Sequence, residues 1–155
     1  MWGAPQDVHM TEYQGTYYYS VDHKGRISVP ARFRRALAPE AESTYVVTKG
    51  FDRCLSIYSL DQWQSFAASL AKLPKNRKKS RNVVRWFMAN AEPVQVDSQG
   101  RIKIPQHLLE YAKIEKEAVV IGAYERMEVW SKHEYDENSR AVEATIEEDL
   151  ESLDF

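Results

Sequence analysis

The chain contains one short phrase twice, SVDHKGRISVP at residues 20–30 and QVDSQGRIKIP at residues 95–105. When the two are aligned from their valine to their closing proline, six of the ten positions are identical. The similarity continues downstream, because TYVVT, GFDR and Trp63 are followed 72 or 73 positions later by EAVVI, AYER and Tyr135. Two related units predict a duplicated module rather than a solenoid, which needs at least about three repeats.

Each phrase predicts two strands joined by a tight Asp-x-x-Gly turn. An aspartate at the first turn position can accept backbone N–H bonds, and a glycine at the fourth tolerates positive φ. The strand after the turn alternates, so its isoleucines should face the core and its arginine the solvent. The predicted turn-forming residues are Asp22, Gly25, Asp97 and Gly100.

The closing prolines predict the end of that strand and the start of a short helix. These helices should cover about residues 31–37 and 106–112, and a β-hairpin should follow each of them. A module of about 45 residues is at the margin of independent stability. We therefore expect the two copies to interdigitate around one core with approximate two-fold symmetry, as a small closed or partly closed β-barrel.

A helical insertion separates the modules. Ser59-Leu60-Asp61-Gln62 has the spacing of a capping box, and apolar residues then recur at helical intervals up to Pro74. A second helix is predicted at about 77–90, and a polar, acidic helix at about 132–152. The predicted organisation is an N-terminal extension at 1–14, module one at 15–63, the insertion at 64–91, module two at 92–135 and an acidic tail at 136–155.

The charge is strongly asymmetric, although the whole chain carries only −2. Residues 134–155 contain nine acidic residues and one arginine, so the remaining residues carry +6. Lysines and arginines cluster without acids at residues 24–35 and 72–85. A basic body suggests an anionic partner, whereas the alternative is that these runs are merely solvated faces.

The composition indicates in which cellular compartment the protein acts. The chain is 43% hydrophobic, has one cysteine, Cys54, and contains no apolar stretch long enough for a signal peptide or a membrane span. We therefore expect a cytoplasmic globular protein without disulfides. We expect no cofactor and no metal, because the four histidines are scattered without ligand spacing.

The repeated arginines, Arg26 and Arg101, allow two interpretations that do not exclude each other. Each can pair across its turn with its own aspartate and lock the hairpin, or it can point outward and read DNA. An arginine fork makes two hydrogen bonds to guanine in the major groove, and neighbouring lysines and arginines neutralise phosphates. The expected DNA-binding residues are Arg26, Arg101, Lys24, Lys103, Arg34 and Arg35.

The ordered motif Val-Asp-x-x-Gly-Arg-Ile-x-Val/Ile-Pro with a short basic helix resembles the AbrB-type swapped-hairpin module. Two such modules, with Phe51–Leu55, the Tyr58–Trp63 stretch and a helical insertion between them, resemble the MraZ family of bacterial regulators over residues 15–135. The resemblance implies an α+β fold, mainly β, of two βαββ modules forming one pseudo-two-fold swapped-hairpin (double-split) barrel with a C-terminal helix.

The resemblance also implies a function. Such proteins bind short tandem DNA repeats upstream of a division and cell-wall gene cluster, and they assemble into rings. It implies a nucleoid-associated transcriptional regulator and assigns DNA reading to Arg26 and Arg101. The second turn has Gln99 where the first has Lys24, and its helix QHLLEYA lacks the arginines of RFRRAL, so module one should be the stronger electrostatic contact.

The sequence leaves two alternatives to a transcriptional regulator, an enzyme and an interaction scaffold. An enzyme could use Asp22 and Asp97 as a dyad or Cys54 as a nucleophile, but the following arginines should keep both aspartates ionised, and we expect no catalytic residue. A non-enzymatic scaffold that binds no nucleic acid could use Arg77, Arg81 and Arg85 to hold acidic tails of other copies. The tail could instead compete with DNA for the basic surface.

Overall fold

The structure, a computed structural model, describes residues 12–37 and 43–155. Most of the predicted N-terminal extension lies outside the described residues, but Tyr13 is buried and bridges to Tyr124. The described strands are β1 Thr16–Ser20, β2 Arg26–Ser28, β3 Thr44–Lys49, β4 Leu55–Ser59, β5 Glu92–Gln95, β6 Arg101–Lys103, β7 Glu117–Gly122 and β8 Met127–Ser131. The described α-helices are α1 Ala31–Arg34, α2 Leu60–Ala71, α3 Lys78–Ala89, α4 Gln106–Tyr111 and α5 Lys132–Ser152.

The strands form two sheets that interleave the repeats. The larger sheet has the order β1-β7-β8-β4-β3-β5, and the smaller is an antiparallel ribbon of β2 and β6. Within the described residues, four of the six strand pairings join one repeat to the other: β1 with β7, β2 with β6, β3 with β5 and β4 with β8. Neither repeat therefore completes its sheet alone.

The expected closed or partly closed swapped-hairpin barrel is not confirmed, because the sheet is not closed. The six-stranded sheet is open, since β1 and β5 each pair on one side only. Pro93 lies within β5 opposite Val46, and a proline cannot donate to a ladder, so it suits an edge strand. The ribbon strands have three residues each and pair only with each other. The coarser prediction of a mixed α+β fold is confirmed.

One core serves both repeats. Ile27 and Ile102 lie directly opposite each other in the ribbon, and they are only 2% and 1% exposed. Phe33 of α1 and Leu108 of α4, which occupy equivalent positions, are buried in the same cluster. The alternation predicted from sequence is therefore confirmed on its inward face, and the ribbon closes over the core that both halves share.

The helical insertion packs as a pair. Phe87 of α3 lies edge-on to Phe66 of α2, with ring centroids 5.0 Å apart. The predicted capping box at Ser59 is wrong in detail, because its hydroxyl donates to Asp61 rather than accepting from the backbone. Ser131 provides the side-chain cap instead, accepting from the N–H of Glu134 at the start of α5. None of the helices in the described ranges is long and apolar enough to cross a membrane.

The three adjacent tyrosines of β1 divide between core and surface. Tyr17 and Tyr19 are half-buried, pack against the core and stack on each other, with ring centroids 6.4 Å apart. Tyr18, on the opposite face of the strand, is 56% exposed. The core therefore accounts for two of these side chains and leaves one at the surface.

Candidate nucleic-acid interface

The first Asp-x-x-Gly turn is held by Asp22. Its Oδ1 accepts the backbone N–H groups of Lys24 and Arg26, each at 2.9 Å, and its Oδ2 accepts from Arg26 Nε at 2.6 Å. Gly25 closes the turn with φ +78°, in the left-handed region that favours glycine. The aspartate therefore fixes both the backbone of the turn and the direction of the arginine that follows.

The second turn repeats this arrangement around Asp97. Its Oδ1 accepts the backbone N–H groups of Gln99 at 2.8 Å and Arg101 at 3.0 Å, and its Oδ2 accepts from Arg101 Nε at 3.1 Å. Gly100 has φ +76°. The same six sequence identities thus produce the same local geometry twice.

The β2–β6 ribbon brings the two turns together. Gly100 of one repeat accepts the backbone N–H of Val29, and Gly25 of the other accepts the backbone N–H of Ile104, both at 2.9 Å. Side chains alternate across a strand, so Arg26, Ser28, Arg101 and Lys103 share the face opposite the buried isoleucines. We call this face the arginine face.

Asp22 contacts both arginines of that face. Its Oδ2 lies 2.6 Å from Arg26 Nε and 3.6 Å from Arg101 Nη1. The two guanidinium groups are therefore neighbours on one surface. Their side chains are 29% and 26% exposed, so each is partly packed and partly open to solvent.

Both turn carboxyls are held in their charged form. Backbone donation from Arg26, followed by its side chain and the backbone of Lys24, holds the pKa of Asp22 well below its usual range. Donation from the backbone of Arg101, then from that of Gln99, lowers the pKa of Asp97. Two ionised carboxylates are suited to orienting arginines and unsuited to sharing a catalytic proton.

The aspartates leave part of each arginine available. An arginine carries five N–H donors in a planar fork, and Asp22 hydrogen-bonds only the Nε edge of Arg26. Among the described residues, no hydrogen bond uses either Nη of Arg26. An arginine held at Nε with its Nη groups open can donate two parallel hydrogen bonds to a planar acceptor.

The other predicted cations surround the arginine face unequally. Lys103 lies opposite Arg26 in the ribbon, and Lys24 is exposed within the first turn. The guanidinium of Arg34 lies against Gly100, where an added Cβ would be 2.8 Å from its Cζ, and its Nε donates to the carbonyl of Val29. No hydrogen bond or ion pair within the described residues connects Arg35, which is exposed at the end of α1, to this face.

The shared role of Asp22 could not be found from the sequence. The motif indicates an Asp–Arg pair within each turn, but the contact from Asp22 to Arg101 spans the two repeats. It depends on the register in which Arg26 opposes Lys103. The sequence predicts Arg34 as a DNA-binding residue, but its position on the second turn also depends on the packing between repeats.

The residues weighed for enzymatic roles occupy structural positions. Cys54 is 1% exposed, and burial raises the pKa of its thiol, which disfavours the thiolate that a nucleophile needs. Within the described part of the chain, no three His, Cys, Asp or Glu side chains are placed to hold a metal ion.

Comparison with known proteins assigns the family. A family model described as "MraZ protein, putative antitoxin-like" matches residues 13–86 and, a second time, residues 87–154. The chain belongs to the MraZ family. The double match agrees with the duplication visible in the MraZ-like phrases and in the paired turns, and each match contains one arginine of the arginine face.

Curated relatives of the MraZ family match over nearly the whole chain. A protein of Caldanaerobacter subterraneus named "Transcriptional regulator MraZ" is 44% identical over 140 residues, covering 90% of this chain and 95% of its own length. Proteins with the same name from Desulforamulus reducens and Acetivibrio thermocellus are 41% and 45% identical, covering 91% and 82% of this chain and 96% and 86% of their own lengths.

Proposed function

We propose that this chain is a transcriptional regulator that binds double-stranded DNA through the arginine face. Arg26 and Arg101 read bases, while Lys24, Lys103, Arg34 and Arg35 contact phosphates. Support comes from one observation above all: the repeats place both guanidinium groups beside a single Asp22 oxygen on an outward ribbon face. A two-stranded β-ribbon fits the major groove, where arginine is suited to guanine.

The phosphate contacts are expected to be stronger on the side of module one. Helix α1 carries Arg32 and Arg34 and is followed by Arg35, whereas the equivalent α4 contains no lysine or arginine and buries Leu108 and Leu109. Each phosphate neutralised releases counterions, so affinity should fall steeply with salt. The two half-contacts on DNA are therefore unequal.

We further propose that several copies assemble into a ring and bind tandem short repeats in the promoter of the division and cell-wall gene cluster. The ribbon offers a small footprint, so one copy binds one box weakly. Linked copies that meet spaced boxes convert later contacts into intramolecular ones, which raises avidity by about 10²–10⁴-fold. The protein would then act in the cytoplasm, associated with the nucleoid.

Substitution of Arg26 by alanine tests the DNA contact. We expect a loss of about 1–3 kcal/mol of discrimination per box, enough to abolish a specific gel shift, with the oligomeric mass unchanged. The matched control is Arg140→Ala, which removes an exposed arginine paired with Glu137 on α5. Wild-type binding by Arg26→Ala would show that this arginine does not read DNA.

An interaction scaffold without nucleic acid is the alternative function. The unpartnered apolar residues of α5, described below, favour self-association in either case. Footprinting on the DNA upstream of the gene separates the two functions, because a regulator should protect regularly spaced boxes. A scaffold should show no retention on DNA at any salt concentration.

A further inference from the structure

The equivalent helices α2 and α5 differ in what covers them. Each begins directly after the serine that ends a strand, Ser59 or Ser131. Each also packs an aromatic residue of its first turns on that strand, Trp63 on Tyr58 and Tyr135 on Trp130. In the first repeat α3 then covers α2, whereas none of the described helices stands in the corresponding place over α5.

Beyond its first turns, α5 carries an apolar stripe that is exposed in the described part of the chain. Val142, Ile146, Leu150 and Leu153 are 40%, 38%, 38% and 76% exposed, and every residue from 141 to 155 is exposed. Their spacing places them on the same helix face as Tyr135, which packs on the body. We call these four residues the α5 stripe.

The α5 stripe runs through strongly acidic sequence. Glu143 lies beside the stripe on one side and Asp149 on the other, since successive residues are rotated by about 100° around a helix. Neither carboxylate forms an ion pair within the described residues. Spacings of i, i+4, i+8 and i+11 are those by which an amphipathic helix inserts into an apolar groove.

A groove with an apolar lining and basic residues around it lies between α2 and α3. Its charge is opposite to that of α5. The groove has a volume of about 350 Å³, and its apolar lining consists of Leu70, Ala71, Leu73 and Val84. Lys75, Arg81 and Arg85 line its rim. We call this site the α2–α3 groove.

The positive charges near the groove repel one another in a chain without a partner. Helix α3 begins after Arg77 with Lys78 and Lys79, and its first turn contains no acidic residue. Cations at a helix N-terminus oppose the helix dipole, whereas a carboxylate there is favourable. The surroundings of the α2–α3 groove thus favour an acidic occupant.

We propose that the α2–α3 groove of one copy binds the α5 stripe of a second copy. The groove supplies the apolar cover that α5 lacks in its own repeat, and the basic residues of the groove meet Glu143 and Asp149, which flank the stripe. The contact joins two different surfaces, so it is heterologous and can add further copies until a ring closes. It deepens the self-association in the proposed function and does not depend on the DNA contact.

The stripe is tested by Ile146→Asp combined with Leu150→Asp, measured by light scattering without DNA. Wild type should form an assembly of several copies, and the variant should be monomeric, with association weakened at least about 100-fold because charges enter an apolar contact. Ala144→Asp adds a charge to the opposite face of the same helix and should keep the wild-type mass.

The groove is tested by Val84→Asp, with the adjacent and more exposed Val83→Asp as its control. Val84 is half-buried, so circular dichroism must show that its variant remains folded. Arg85→Glu provides a second groove variant at an exposed position, and it should also weaken assembly and change its dependence on salt.

Mixing the stripe variant with the Val84→Asp variant decides whether the two surfaces meet. Each variant keeps the surface that the other lacks, so the mixture should form one-to-one dimers although each alone is monomeric. Absence of dimers in the mixture, or wild-type mass for the stripe variant, would overturn the proposal. A monomeric wild type would overturn both this proposal and the ring, whereas Arg26→Ala reports on DNA reading alone.

Discussion

The two repeats share a backbone plan and differ in what they offer to partners. Their turns superimpose in every hydrogen bond that the aspartates accept, and their buried isoleucines face each other across the ribbon. Yet the position that carries Arg34 in α1 carries buried Leu109 in α4. Duplication has thus kept the turns and the paired isoleucines, whereas the equivalent position of the two short helices is an exposed arginine in one repeat and a buried leucine in the other.

The largest effect on stability is expected in the core that the two repeats share. Ile27→Ala and Ile102→Ala should each reduce the free energy of unfolding by about 2–5 kcal/mol, since both side chains are buried against each other. Because the core is common, the two losses should be similar and unfolding should remain a single transition. Urea unfolding followed by tryptophan fluorescence at one fixed protein concentration measures both.

A separate core in each repeat would give a different result. Two resolved transitions, or a large loss for one isoleucine and a negligible loss for the other, would contradict a common core. Val83→Ala is a suitable control, because an exposed helical position should change stability by no more than about 0.5 kcal/mol.

The turn glycines give a smaller and unequal effect. Alanine at either position must adopt positive φ, which costs about 1–2 kcal/mol. At Gly25 the new Cβ would also lie 3.1 Å from the carbonyl of Ile104 and from Leu109, which are fixed by the backbone and by burial. At Gly100 it would meet the exposed guanidinium of Arg34, which can move away.

Gly25→Ala should therefore lower stability more than Gly100→Ala, as measured by their urea midpoints. Gly100→Ala should also displace Arg34 and so weaken DNA binding relative to its small effect on folding. Equal losses, or a larger loss at Gly100, would mean that the surroundings of the two turns are not distinct in the way the structure describes.

The alternation of the strands, their ends and the ranges of the long helices could be predicted from the sequence, because local signals determine them. Alternation in a strand places Ile27 inward and Arg26 outward, and Pro30 ends the strand wherever the chain goes next. The helical pattern likewise predicted α3 to within about a residue at each end, and the acidic helix α5. Such signals act over a few residues and need no knowledge of distant contacts.

The remaining features depend on tertiary register. The contact between Asp22 and Arg101 exists only because β2 pairs with β6 as it does. The sheet is open because β1 and β5 each have one neighbouring strand, and the α5 stripe is exposed because no described helix covers it. The capping box predicted at Ser59 does not form, because the Ser59 hydroxyl donates its hydrogen bond to Asp61.

The smallest expected difference is between the two turn aspartates, and it is a difference in acid stability. Both have a pKa lowered by folding, so each stabilises the fold above its unfolded value of about 4 and loses that contribution as pH falls through the lower folded value. Wild type should therefore lose stability progressively below about pH 4. Asp22 meets two arginines and Asp97 meets one.

Asp22→Asn should consequently reduce the free energy of unfolding at neutral pH more than Asp97→Asn does. It should also leave a smaller further loss of stability as the pH falls below about 4. Urea midpoints measured from pH 2 to pH 7 provide the comparison, with Asp154→Asn at the exposed C-terminal end as control. Identical profiles for the two turn variants would show that the contact from Asp22 to Arg101 contributes nothing in solution. Asp22 would then orient only its own arginine, and the two halves of the arginine face would act independently.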